Sequence, residues 1–549
     1  MIKNNTGLYI NIFIIIIGSF LFIPFLGQVH LFDWDEINFA ESAREMILTG
    51  DYLNVQINFQ SFWEKPPFFI WMQVLSMKLF GINEFAARFP NAICGIITLL
   101  LLFNIGKKII NQQFAIIWVL AYTGSFLPFF YFKSGIIDPW FNLFIFLGLY
   151  FLFSYLEFDL RKKLNISLSA LFIGLAILTK GPVGMLVYGI TGFIYFAIKG
   201  FKFKIKISEL ILFLLILIIT GGFWFLLQIF NGNYNIIQDF IIYQIRLFKT
   251  KDAGHGGFFL YHFIILLIGV FPASIFAIKS FKRGYYEESI QNSFKQIMSI
   301  LFWAVLILFT IVKTKIIHYS SMCYFPITFL AASVICKIIN LKDKYNNWLV
   351  IFLSIMGFLY AFIISILPVV ENNKQLLINK GVFNDLFIVS SFMANASYSG
   401  NEYLIGATLL IAFLFVIYFR KIKNYKASFI ALFLGSIIFI YLSVIHITPK
   451  IEKYSQNAAI EFFKSLKHKD CYIGTLRYKS YAQYFYADKQ IPKNNNIYIK
   501  NWLLEGDIDK DAYFVVKIHK LNSILNTYNE LELLYKKNGY AFLIRKKKN

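Results

Sequence analysis

Acidic and basic residues gather early in the chain, in a spacing that could support proton transfer and phosphate binding. Asp33-Trp34-Asp35-Glu36 follows directly on the first apolar run, and Glu64-Lys65-Pro66-Pro67 comes later in the same polar segment. A carboxylate at Asp35 or Glu36, fixed where the chain leaves that run, could accept a proton from an incoming hydroxyl or orient it. The same acids would equally cap the helix-like stretch that follows. Lys65, ahead of a proline-started helix, is suited to holding a phosphate because backbone N–H groups and the ammonium converge there. A lysine snorkelling to the membrane interface gives the same pattern.

Further ionisable residues recur at apolar-run ends: Asp138, Lys180, the stretch from Arg246 to His255, then Lys313, Lys315 and His318. His255 lies in Asp252-Ala253-Gly254-His255-Gly256-Gly257, where glycines let backbone approach a ligand closely. A lone histidine is more often structural; Glu64 is its candidate partner for a metal. His262 and His318 read as packing residues at span ends. The sequence contains no P-loop, no GxGxxG after a strand, no HExxH and no GxSxG elbow, which removes support for ATP hydrolysis and acyl-enzyme chemistry.

The elements that must position these residues are membrane spans. The 549 residues are 58% hydrophobic and only 15% charged, with a mean hydropathy of +0.61. Apolar runs of about twenty residues recur, the length that crosses a hydrocarbon core. Candidate spans fall near 8–26, 89–106, 114–131, 138–156, 165–179, 183–198, 209–230, 258–278, 296–312, 318–336, 348–370, 402–419 and 427–446, about thirteen in all. The first run follows Lys3 without a small-residue cleavage site and reads as a retained span.

With a cytoplasmic N-terminus, every inside connector is basic: Lys107/Lys108, Arg161/Lys162/Lys163, Lys199/Lys202/Lys204/Lys206, Lys279/Lys282/Arg283, Lys337/Lys342/Lys344 and Arg420/Lys421/Lys423/Lys426. The phase holds only if 165–198 crosses twice, and it places the C-terminal region outside. Arg246, Lys313 and Lys315 are then outside cations, explained by phosphate binding or by simple tolerance. The net charge of +23 thus has a topological origin, and nucleic acid is not expected as a partner. Cys94, Cys323, Cys336 and Cys471 form no CxxC pair and suggest neither disulfides nor a zinc ribbon.

Three outside segments are long: 27–88, 231–257 and 371–401. The first carries an amphipathic helix over 37–48, ended by Gly50, and an apolar one over 66–80, ended by Gly81 and expected at the interface. From 447 to 549 the sequence turns polar, with helix-like stretches (453–466, 521–536) between strand-like ones (471–476, 512–518, 540–544). This predicts a membrane domain over 1–446 and a small extracytoplasmic α/β domain over 447–549.

At the first outside segment the sequence resembles a known family. Asp35-Glu36-Ile37-Asn38-Phe39-Ala40-Glu41, Arg44-Glu45-Met46, Gly50-Asp51, Glu64-Lys65-Pro66 and Gly81-Ile82-Asn83-Glu84-Phe85-Ala86-Ala87-Arg88-Phe89-Pro90 are similar to the aminoarabinose transferase branch of the GT-C glycosyltransferases. Protein O-mannosyltransferases are more distant relatives. Asp138, Leu178-Thr179-Lys180-Gly181 and the Arg246-to-His255 loop continue the match, and Lys315 to Pro326 does so loosely.

The resemblance implies a polytopic α-helical, GT-C-like membrane protein that moves a sugar from a polyprenyl-phosphate donor to a lipid A-type glycolipid or a protein. The reaction is expected at the outer face of a bacterial inner membrane, among membrane lipids and by a monomer. It implies Asp35, with Glu36 and Asp138, as catalytic acids. Lys65, Lys180 and Arg246 would bind the carrier phosphate, and Glu64 with His255 could hold a divalent metal ion. Better-known members often carry Arg where this chain has Asn38; either another cation such as Arg44 takes its place or the substrate contacts differ. The rival reading is a transporter or flippase of lipid-linked substrates, which predicts ionisable residues at the bilayer midplane and paired repeats. Here the charges sit at the outer ends of spans, and no repeat is visible.

Overall fold

A computed structural model of the chain describes residues 5–203, 205–250, 256–281 and 289–547. Of the residues singled out above, Lys3, Lys204, Asp252, Ala253, Gly254, His255, Lys282 and Arg283 lie outside these segments.

Among the described residues, eight helices are long and apolar enough to cross a membrane, from Glu84–Ile109 to Tyr425–Lys453, and two bent pairs raise the number to ten. The bends have local causes. Ile207–Gly221 and Phe223–Phe230 meet at 60° across Gly221-Gly222, and Tyr261–Gly269 and Ala273–Ser280 meet at 118° just before and after Pro272. The other three expected spans are helical but shorter or broken: Asn5–Phe22, Gln112–Thr123 followed by Phe126–Tyr131, and Val183–Ile198. By length and composition the number is therefore eight to ten, below the expected thirteen.

The outward faces of these helices are apolar. Ile211, Leu215, Ile218 and Ile219 on one helix, and Ile351, Phe352, Ile355 and Phe358 on another, are all more than half exposed. Such continuous apolar faces would be a liability in water and are the normal surface in lipid. The chain is a multi-pass membrane protein. Small residues let its helices approach: a Cβ built on Gly174 would lie 1.8 Å from Thr220 Oγ1, so Lys162–Lys180 and Ile207–Gly221 touch backbone to backbone there.

The long segment between the first span and Glu84–Ile109, called the outer segment after the side on which the charge pattern is expected to place it, contains helix Asp35–Thr49, which stops at Gly50, a small hairpin pairing Gln56–Ile57 with Gln60–Ser61, and helix Phe68–Phe80, which stops at Gly81. Its apolar face shares one core with the C-terminal region: Ile37, Phe39, Phe69 and Val74 pack with Ile460, Phe463, Phe485 and Phe542. The outer segment is thus clamped between the spans and the C-terminal domain, which fixes the direction in which Asp35 points.

The C-terminal region is a four-stranded sheet in the order Tyr472–Leu476, Ala512–Lys517, Tyr540–Arg545, Glu532–Lys537, with the first pair parallel and the rest antiparallel. One expectation fails here. The stretch 521–536, read as one helix, is helix Leu521–Thr527 followed by strand Glu532–Lys537. Asn538-Gly539, both at positive φ, make the tight turn that folds this strand back onto 540–545. An Asn-Gly pair between such runs is a strong hairpin signal, and it outweighs the helical pattern of the residues before it.

Candidate active site

Several helix ends converge on one polar cluster. Asp35 opens helix Asp35–Thr49 and Asp138 opens Asp138–Glu157, with Pro139 setting the first turn. Acids at helix N-termini are favoured by the exposed N–H groups and the helix dipole. Lys180 closes Lys162–Lys180, where a cation is favoured for the converse reason. The helix ends there because Gly181 takes φ +93, a conformation that L side chains rarely adopt, and Pro182 follows. His318 is the second residue of the 3-10 turn Ile317–Cys323, and Lys65 is delivered by the Glu64-Lys65-Pro66-Pro67 segment just before helix Phe68–Phe80.

The contacts join these groups into one site. His318 Nε2 lies 3.4 Å from Asp35 Oδ2, and their side chains are 15% and 32% exposed, so the pair is reachable from outside. Lys180 Nζ lies 2.6 Å from Asp138 Oδ1, in a more buried pair. The other oxygen of Asp138, Oδ2, is buried and has no hydrogen-bond partner among the described residues. It is a free acceptor inside the cluster, and a buried acceptor of that kind is costly unless a ligand or water meets it. Lys65 is part-buried, with its ammonium 5.0 Å from the centre of the Tyr243 ring. The Arg246 guanidinium lies over the same ring at 5.1 Å, and the Tyr243 hydroxyl donates to Glu64 Oε2 at 3.0 Å. Burial lowers the pKa of Lys65, against the pull of Glu64, and Lys180 lowers it further, against Asp35 and Asp138. Lys65 therefore feels the charges of Glu64, Lys180, Asp35 and Asp138.

This arrangement can hold an anion between Lys65 and Lys180 and present a carboxylate to an incoming hydroxyl beside it. His318, read from sequence as a packing residue, belongs to the site. The available signal was its place just after Lys313 and Lys315, cations at the end of an apolar run. Lys315 itself is occupied: its Nζ donates to the carbonyls of Phe309 and Thr310 at 2.8 and 2.6 Å, capping the preceding helix.

Two expectations are corrected. Glu36 is 3% exposed and turned away from Asp35 into a structural network. Arg88 Nε and Nη2 donate to its two oxygens at 3.0 and 2.7 Å, Phe32 N donates at 2.8 Å, and Gly135 N donates as well. With its lone pairs filled, Glu36 has no capacity left for catalysis; it ties the outer segment to the spans. Arg44 is also committed. Its Nε and Nη2 donate to Glu41 at 2.8 and 2.7 Å, and Nη1 reaches Asp488 of the C-terminal domain at 3.2 Å. It is fully buried there and cannot replace a cation at position 38. The Asn38 amide faces Trp34, the residue just before its helix.

The metal pair is only partly visible, since His255 lies outside the described residues. Among the described residues no group of three or more His, Cys, Asp or Glu could hold a metal ion.

Arg88 provides a test of the structural assignment. Arg88→Ala leaves Glu36 buried and unpaired, which is expected to cost about 3–5 kcal/mol. Thermal unfolding in detergent should show a much lower midpoint, with transfer per folded molecule little changed. A wild-type midpoint would mean that the network does not hold the outer segment.

Comparison with known proteins agrees with this architecture. Residues 64–224 match the family described as dolichyl-phosphate-mannose-protein mannosyltransferase. The undecaprenyl phosphate-alpha-4-amino-4-deoxy-L-arabinose arabinosyl transferase of Pectobacterium atrosepticum is 24% identical over 66% of this chain and 66% of its own length. The enzyme of the same name from Wigglesworthia glossinidia brevipalpis is 28% identical over 62% of this chain and 61% of its own. The match therefore spans about two thirds or less of these relatives. The crystal structure of ArnT from Cupriavidus metallidurans bound to undecaprenyl phosphate superimposes with a TM-score of 0.74, covering 97% of both chains at 15% identity. The oligosaccharyltransferase of Archaeoglobus fulgidus gives 0.51, over 94% of this chain and 70% of its own, at 12% identity. The chain is thus similar over part of its length to the mannosyltransferase family model and to aminoarabinose transferases, and over nearly its whole length it shares the fold of the Cupriavidus structure.

Proposed function

We propose that this protein transfers a sugar from a polyprenyl-phosphate carrier to a lipid or protein acceptor at the outer face of a bacterial inner membrane. The observation that carries the reading is the meeting of Asp35 and His318 with Lys65 and Lys180 where the spans end. The relatives' names and the undecaprenyl phosphate in the Cupriavidus structure support a lipid-phosphate donor. The bond between the anomeric carbon and the phosphate oxygen breaks, its electron pair stays on that oxygen, and the acceptor oxygen bonds to the carbon. Lys65 and Lys180, with Arg246 nearby, stabilise the charge that grows on the leaving phosphate. A hydroxyl acceptor gives its proton to Asp35, with His318 beside it; an ionised phosphate acceptor needs Asp35 only for orientation. Asp138 holds Lys180 in place through Oδ1 and offers Oδ2 to a donor group of the sugar.

The test is transfer in membranes supplied with radiolabelled polyprenyl-phosphate sugars and total membrane lipid and protein as acceptors. Label should move to one of these fractions, and its identity gives the acceptor class. Label that crosses the membrane still attached to its carrier, with no transfer, would favour a flippase instead.

The proposal includes a divalent ion at Glu64 and His255. Glu64 fits an ion held by one carboxylate with substrate phosphate and water completing the shell, the usual habit of Mg²⁺. When bound, such an ion would add charge stabilisation at the phosphate. EDTA should then lower transfer and Mg²⁺ or Mn²⁺ restore it; a rate indifferent to EDTA removes the ion from the reading and leaves the work to the lysines.

A further inference from the structure

The span Ile317–Ile339 does not begin as an α-helix. Its first seven residues, Ile317–Cys323, form a 3-10 helix, and α-helical winding starts at Tyr324. The backbone bonds show the tighter turn: Tyr319 N donates to Ile316 O and Tyr324 N donates to Ser321 O, each three residues back. Runs of 3-10 helix beyond about three or four residues are uncommon, because their hydrogen bonds are less well aligned. A run of seven therefore needs support from outside its own backbone.

This turn carries two groups of the site. His318 reaches Asp35, and the ring centre of Tyr319 lies 5.5 Å from Lys180 Nζ. The winding decides where His318 points. Successive residues turn by about 120° in a 3-10 helix and about 100° in an α-helix, and rise by about 2.0 and 1.5 Å. Between His318 and Tyr324, an α-helical start would swing His318 by roughly 120° and draw it about 3 Å along the axis. It would lose Asp35. The Asp35 contact itself is weak support, being 3.4 Å long and partly exposed.

Two buried side chains from neighbouring helices supply the support. Asn142 lies one turn after Asp138 on helix Asp138–Glu157, and its Nδ2 donates to Ser321 Oγ at 2.8 Å. Ser321 Oγ in turn donates to the His318 carbonyl at 2.6 Å. That bond runs three residues back, in step with the 3-10 winding, whereas Ser333 in the α-helical part of the span bonds four back to Phe329. From the other side, His262 Nδ1 lies 3.1 Å from Ser320 Oγ. Asn142, His262, Ser320 and Ser321 are at most 4% exposed. His262 Nε2 has no hydrogen-bond partner among the described residues. A buried ring with one nitrogen unmet is a costly way to fill space, and an ionisable group in a span points first to function. The contact with Ser320 is what this histidine adds over a hydrocarbon.

We infer that Asn142 and His262 are positioning residues: they keep the turn in its 3-10 form and so set His318 against Asp35. Their effect on the reaction rests on the proposed sugar transfer; their effect on the turn does not.

The experiment uses the full chain in lipid nanodiscs and two readouts. For geometry, Asp35→Cys and His318→Cys are combined and the two thiols are joined with dibromobimane, a short bis-thiol reagent. Mass spectrometry quantifies the link between positions 35 and 318. The link should form in this double variant. Its rate should fall at least about tenfold when Asn142→Leu or His262→Phe is added, the scale on which a displacement of an ångström or more acts. Both substitutions keep side-chain bulk and remove the polar contact. Ser321→Ala breaks the same bonds as Asn142→Leu by a smaller change, and replaces it if that variant does not fold. No link in the double variant would mean that the Asp35–His318 pair holds the turn. Equal linking in every variant would mean that backbone packing holds it. Either result overturns the proposal, and equal linking in one variant alone removes that residue from it.

The second readout is kcat for transfer, with Asn142→Leu placed in wild type and in His318→Ala. If Asn142 acts through His318, the substitution lowers kcat in wild type and adds nothing in His318→Ala. No loss in wild type, or the same loss in both backgrounds, overturns the role in the reaction. If neither wild type nor any variant transfers sugar while the linking pattern holds, the transfer reading fails and the positioning of the turn stands.

Discussion

Asp35→Asn should cut sugar transfer by about 10²–10⁴-fold when the acceptor is a hydroxyl, the usual range for loss of a positioned base. The amide keeps the shape of the carboxylate, so the 3.4 Å contact with His318 can persist while the capacity to take a proton is lost. Asp35 is about one-third exposed, and its substitution leaves no buried charge unpaired, so the thermal midpoint should stay near wild type. This is the opposite signature to Arg88→Ala, which should lose stability and keep activity per folded molecule. His318→Ala should cost less than Asp35→Asn, because it removes a neighbour of the base and not the base. Transfer by Asp35→Asn at the wild-type rate would place the base elsewhere, while a modest loss would point to an acceptor already ionised. The measurement is initial rate in membranes with matched expression, compared with midpoints on the same purified variants.

The sequence made the membrane elements legible because apolar length and connector charge are one-dimensional signals. Each expected span has a helix beneath it, and the breaks fall at glycines and at Pro272. The positions of the candidate site were partly legible for a related reason. Asp35, Asp138 and Lys180 stand at helix ends, where charged residues beside apolar runs are conspicuous. Pairings across the fold were not. Glu36 and Asp35 are neighbours in sequence and look equivalent, yet the first turn of the helix sends Glu36 toward Arg88 and Asp35 toward His318. The choice depends on which side chain finds a buried cation, and Arg88 lies 52 positions away. Arg44 misled in the same way. Glu41, three residues before it, is a local partner, but its other partner Asp488 sits in the C-terminal domain, so nothing local marks the pair as buried. The C-terminal hairpin was missed although Asn538-Gly539 was in plain view, because the residues before it also fit a helical period.

Lys65 carries the second large effect. Lys65→Ala should lower transfer about 10²–10³-fold, the usual loss when one donor to a developing oxyanion is removed. Its environment adds a prediction about pH with a definite sign. Burial lowers the Lys65 pKa, so in the free enzyme the ammonium loses its proton at a lower pH than an ordinary lysine. If that charge holds the leaving phosphate, kcat/KM must fall as pH rises through the lowered pKa. Lys65→Arg, whose guanidinium stays charged throughout, should push this alkaline limb upward, even if the fork fits the site less well. Stability should move the other way. Below the lowered pKa the lysine is charged in both folded and unfolded protein, and the folded site disfavours that charge. Lys65→Met should therefore raise the thermal midpoint at neutral pH while reducing transfer, and the gain should vanish as pH rises to the ordinary lysine range. A lysine retained only for packing predicts a lower midpoint and an unaltered pH profile in the same variants. A charge maintained at a cost to the fold and required by the reaction is what a phosphate-binding lysine entails.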